Sequence, residues 1–170
     1  MTWKLSDDPL GQLETAIAED DMNGAYNVVF ELTRAGRRDL TMAYEATERC
    51  LHSGNRILRS VGVRALGDIA KVFDTLDERF KEILEQALVD PDRHIREPAE
   101  TSAMELYSFL HWHFRNWTPT EEPIPLEDRF DDVPADSSGP MPRGHYLVRH
   151  HFRNQLARAR GLPLEPPLSY

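Results

Sequence analysis

Apolar residues in the first two-thirds of this chain recur at the period of an α-helix, and that spacing limits the fold more than any other feature. The strongest stripe is Leu58, Val61, Ala65, Leu66, Ile69 and Phe73, whose spacing returns side chains to one helical face. Five more stripes accompany it. Leu10, Leu13 and Ile17 follow Asp8, a cap, and Pro9, suited to a first helical turn. Ala25, Val28, Val29 and Leu32 run toward Gly36, a C-terminal stop. Leu40, Ala43, Tyr44, Thr47 and Leu51 follow Asp39. Thr75 with Glu78 reads as a capping box ahead of Leu76, Phe80, Ile83, Leu84 and Ala87. Ala99, Ala103, Leu106, Phe109 and Leu110 complete the set. Alternating, β-branched runs are absent, so the expected class is all-α.

Charge and proline divide the chain unevenly. The 170 residues carry 20 basic and 29 acidic side chains, a net charge of -9. Residues 1–117 hold a balance of -7 and residues 118–137 one of -6, while residues 138–161 reverse to +5. Nine of the 12 prolines lie from Pro119 onward, which excludes a long uninterrupted element there. The expected organisation is a helical body over 1–117, an acidic Pro-rich linker over 118–144 and a basic helix with its tail over 145–170. In that last piece His145, Val148, Phe152, Leu156 and Ala159 share one face, with Arg149, Arg153 and Arg160 beside it. Its apolar stripe needs cover, and docking on the acidic body is the expected outcome.

An acidic chain is a poor general binder of nucleic acid or anionic membrane. A single cysteine, Cys50, allows no internal disulfide and suits a reducing compartment. Neither an apolar run long enough to span a membrane nor an apolar N-terminal leader is present. A soluble, cytoplasmic protein is expected.

Short connections between helices favour antiparallel neighbours, and an internal repeat distinguishes a stack from a closed bundle. Ser53-Gly-Asn-Arg-Ile-Leu58-Arg59 matches Asp90-Pro-Asp-Arg-His-Ile95-Arg96 at an offset of 37 residues. Each copy sets a capping residue ahead of an aliphatic residue and an arginine. Leu58-Arg59 followed by Arg64-Ala-Leu-Gly-Asp-Ile-Ala70 resembles the second helix of a HEAT repeat, and Asp90-Pro91 with Ile95-Arg96 resembles the next copy. The resemblance covers residues 53–110 and departs from the pattern at Pro98, which predicts a kink or a helix starting near that proline. It implies a short right-handed α-solenoid of about three helix pairs that binds a macromolecule on a curved face. Immunity proteins, bilin lyase subunits and DNA glycosylases share such folds, so fold alone does not choose among them.

Candidate chemistry is sparse. His111 with His113, and the adjacent His150 and His151, diverge on a helix and make no metal motif. Cys50 and His52 point apart, and Cys50 reads as a core residue. Glu100 and Glu105 read as a solvated acidic face, and Gly62 and Gly67 as points of close helix packing. No catalytic, cofactor-binding or metal-binding residue is expected. Partner-binding candidates are Trp112, Arg115 and Trp117 at the end of the body, and Arg149, Arg153 and Arg160 in the basic helix. Trp112 is expected to be covered by the C-terminal arm folding back; for Trp117 the same cover and a role as an anchor for a partner both stand. The expected function is non-enzymatic protein binding, in its most specific form an acidic, immunity-type inhibitor of a basic partner. The alternatives are nucleic-acid binding through the arginine helix, or a solenoid-fold enzyme such as a DNA glycosylase.

Overall fold

The computed structural model describes residues 3–35, 39–73, 75–120 and 163. The compact unit that contains almost all of them is Met1–Pro119. The basic segment 145–160, including Arg149, Arg153 and Arg160, lies outside the described residues, as does the Gly36 stop. Among the described residues every regular element is helical: α1 Pro9–Ala18, α2 Met22–Phe30, α3 Leu40–Leu51, α4 Arg56–Phe73, α5 Arg79–Leu88 and α6 Arg93–Leu110. A π-helical turn, Glu31–Ala35, extends α2. None of these helices is long and apolar enough to cross a membrane.

Local sequence explains most helix starts. Asp8, Asp21 and Asp39 each accept a hydrogen bond from the third residue of the helix that follows, at 2.9–3.0 Å. The α1–α2 corner is closed by Asp20 in the left-handed region (φ 58°), with the Asp21 N–H donating to the Ala16 carbonyl at 2.8 Å. The expected capping box at Thr75 does not form. Leu76 is drawn into the core at 6% exposure, ahead of α5, and the Asp77 carboxylate accepts from the Arg79 N–H at 3.0 Å. The helix therefore starts four residues beyond Thr75. Pro98 neither kinks off a new start nor delays the old one, because α6 begins at Arg93 and runs through it. It sits early in the helix, so the ring costs one ladder donor without ending the element.

The repeat faint in the sequence is sharp in the hydrogen bonds. Ser53 Oγ accepts from the Asn55 N–H, and the Asn55 side chain accepts from the Ile57 N–H. In the second copy Asp90 accepts from the Asp92 N–H, and Asp92 from the His94 N–H. The Arg59 guanidinium then donates back to the Ser53 and Gly54 carbonyls, both at 3.2 Å. Arg96 does the same to Asp90 and Pro91, at 2.7 and 3.4 Å. Leu58 and Ile95, one residue before each arginine, are both buried.

The helices touch in a regular order. α1 packs on α2, α3 on α4 and α5 on α6, while α4 also packs on α2 and α6. α3 is joined to α1 by an Arg49–Glu14 ion pair, to the turn before α5 by the Tyr44 hydroxyl accepting from the Asp77 N–H at 2.9 Å, and to α5 by a Glu48–Arg79 ion pair at 3.4 Å. Two apolar clusters result. One gathers Leu13, Val28, Val29, Leu32, Ala46 and Cys50 with Leu58 and Ala65 of α4. The other gathers Leu66, Ile69, Phe80, Leu84 and Leu106 with Phe114.

α4 comes close to its neighbours at the two expected glycines, to α6 at Gly67 and to α3 at Gly62. A Cβ on Gly67 would lie 2.9 Å from Ser102 Cα and run into the Glu105 carboxylate; one on Gly62 would lie 2.8 Å from the Leu51 nitrogen. The approach lets the Ser102 hydroxyl donate to the Val63 carbonyl at 2.9 Å or to that of Arg64 at 3.2 Å. Glu105 is not the solvated carboxylate its sequence context predicts. It takes a bidentate pair from Arg64 at 2.7 and 3.2 Å, and Arg64 also reaches Asp68 one turn along at 3.1 Å. The backbone approach at Gly67 brings those charges within reach of each other.

Candidate functional site

The end of α6 is turned back by a single residue. His111 adopts the left-handed region (φ 56°), and the Trp112 N–H donates to the Leu106 carbonyl at 3.3 Å. This reversal lays residues 112–117 along the end of the helical body and brings four aromatic rings together. Phe114, only 7% exposed, joins the core. The Trp112 ring lies 6.3 Å from it, and the Trp117 ring meets it edge-on at 5.9 Å and 79°. Trp117 also contacts Tyr107 edge-on at 6.3 Å, and Tyr107 contacts His113 at 5.5 Å. Such geometry contributes to packing beyond the area buried. Both indoles pack against the core cluster while staying partly exposed.

Arg115 points away from the rings and along α5. Its backbone N–H donates to Glu85 Oε1 at 3.0 Å and its Nε to Oε2 at 2.9 Å, with Nη2 at 2.8 Å. Hydrogen bonding from Arg115 holds the Glu85 carboxyl below its ordinary range. The same pairing raises the guanidinium further above its already high value. Beside this clasp lies an open groove of 640 Å³, lined by Glu78, Lys81, Glu82 and Glu85 of α5 and by His113, Phe114 and Arg115. It offers a carboxylate row next to an aromatic edge. Among the described residues no cysteine or hydroxyl side chain lines it, and no group of His, Cys, Asp or Glu is placed to hold a metal ion.

The structure thus brings three of the six sequence candidates, Trp112, Arg115 and Trp117, into one region. Arg149, Arg153 and Arg160 lie outside the described residues. Sequence reasoning passed over Phe114, the most buried member, because it falls after the helical stripe ends and no period marks it. Glu85 gave no local signal either, since its partner is 30 residues away. Cys50 is fully buried, as its stripe position predicts, and burial pushes its thiol up to about 12. His52 is exposed and bonds the Glu48 carbonyl through Nδ1 at 2.8 Å. The two do not form a nucleophile–base pair. Compared with protein-family models, with curated proteins and with solved structures, the chain matches none.

Proposed function

We propose that residues 1–117 form a short right-handed, HEAT-like α-solenoid whose work is to bind another protein, not to catalyse a reaction. The observation that carries this reading is the duplicated loop. Positions 53–59 and 90–96 make the same set of bonds, each copy opening the second helix of a pair. The contacts of α4 with both α2 and α6, and the links from α3 to α1 and α5, fit helix pairs that bury their apolar faces by stacking. The body's balance of -7 favours a basic partner. In its most specific form the protein is an acidic inhibitor, of the immunity type, that occludes such a partner.

Capture from native cytosol on the immobilised full chain tests this. A basic protein is expected, with an association rate that falls as salt rises. Recovery of no protein, or an association rate indifferent to salt, overturns the reading.

A further inference from the structure

A second groove, of 430 Å³, runs along α1, and among the described residues no basic side chain lines it. Its wall is built, not incidental. The Gln12 side-chain amide grips the segment before α1 from both sides of Leu5, accepting from the Ser6 N–H at 2.8 Å and donating to the Lys4 carbonyl at 3.2 Å. Leu5 packs on the core cluster beneath. The grip fixes the strand that carries Trp3, whose ring stands at the groove 38% exposed. Asp8, Glu19 and Asp21 line the same groove. Asp8 and Asp21 each use Oδ1 to cap a helix, and Oδ2 of each accepts no hydrogen bond from a described residue. Over residues 3–24 the sequence carries six carboxylates and one lysine.

We propose that this groove receives an extended basic segment of a protein partner. An arginine or lysine lies against the Trp3 indole and further basic residues meet Asp8, Glu19 and Asp21. The proposal rests on the protein-binding reading and names the surface used. Three considerations select the occupant. From Asp8 to Glu19 the helix covers about 16 Å at 1.5 Å per residue, the length of about five extended residues. The carboxylates are strung along that length instead of converging, which suits a peptide better than a single ion. An indole face beside carboxylates attracts a cationic side chain, whereas the same charge repels phosphate.

The probe is an acetylated, amidated hexa-arginine peptide titrated into the full chain, read by the Trp3 indole N–H resonance and by calorimetry. Asp8→Asn/Glu19→Gln/Asp21→Asn is expected to weaken binding at least tenfold, the asparagines keeping both caps. Trp3→Ala is expected to weaken it at least threefold. Glu45→Gln/Glu97→Gln/Glu100→Gln removes the same charge from exposed positions outside both grooves and is expected to change affinity less than twofold. Equal losses in the two triple variants, or an indole resonance unmoved by peptide, overturn the proposal. A captured protein that binds the groove variant as tightly as the parent sinks the groove and leaves the protein-binding reading intact. Peptide bound in the groove with no protein captured does the reverse.

Discussion

Replacing Gly67 by alanine sets two effects of known size against each other. Alanine is the better helix former, and at an unhindered interior position the change stabilises by about 0.5–1 kcal/mol. At Gly67 the new methyl meets Ser102 Cα and Oγ, both at 2.9 Å, and the Glu105 carboxylate. The nearest of these, Glu105 Oε2, ends a long side chain held by Arg64, but Ser102 Cα is backbone and its Oγ is short and bonded, so relief requires α4 and α6 to part. Overpacking of this kind costs about 1–3 kcal/mol. Parting also strains the Ser102 hydroxyl bond to the α4 carbonyls, and a buried hydroxyl left unsatisfied costs about 1–3 kcal/mol. The expected net loss is about 2 kcal/mol, which for a chain of this size lowers Tm by about 4–8 °C. Urea unfolding of Gly67→Ala beside the parent reads it directly, with an unchanged m-value showing that stability alone has moved. Gly54 supplies the internal control: a Cβ there meets nothing within 4 Å, so Gly54→Ala is expected to be neutral or mildly stabilising. Gly67→Ala as stable as the parent would refute the close-approach account of the α4–α6 crossing.

Three further outcomes follow from other parts of the body. Arg59→Met and Arg96→Met each remove a charged donor from loop carbonyls, and each is expected to cost about 1–3 kcal/mol in chemical denaturation; a large loss at one site and none at the other would break the equivalence of the two copies. Thr47 Oγ1 is fully buried with no hydrogen-bond partner among the described residues, so Thr47→Val is expected to raise stability by about 1 kcal/mol in the same assay, and a loss would show that the hydroxyl is satisfied. The Cys50 thiol, raised by burial from an ordinary 9 to about 12, binds its proton more tightly folded than unfolded. Its contribution is therefore complete below pH 9 and lost as pH climbs toward 12, at up to about 1.4 kcal/mol per pH unit. Cys50→Ala should remove that slope, and rapid thiol labelling of the native chain at pH 8 would contradict the burial.

The helices were legible because burial in a helix repeats with a short period that a few residues reveal. Leu13, Val28, Leu66, Ile69, Leu84 and Leu106 lie where their stripes place them. Boundaries set by competition between neighbours were less so. Thr75 has the better capping pattern, yet burial of Leu76 outweighs it and hands the start of α5 to Asp77 and its neighbours. Pairings across 30 or 41 residues, Arg115 with Glu85 and Arg64 with Glu105, leave no local trace, because any exposed acid and base look alike until the backbone brings them together. Trp3 escaped notice for a related reason: its position depends on a glutamine whose reach is visible only in three dimensions.

Arg59 and Arg96 both grasp main-chain oxygens. Every residue type supplies a carbonyl, so the grip itself makes no demand on the side chains of the gripped positions. Serine and glycine fill them in one loop, aspartate and proline in the other. The arginine, the cap two residues into the loop and a side-chain acceptor at the first position must keep their chemistry; asparagine or aspartate serves for the cap, serine or aspartate for the acceptor. A motif written in backbone atoms can thus diverge in most of its letters while its geometry stays fixed, so two loops that align at barely half their positions still turn the chain in the same way.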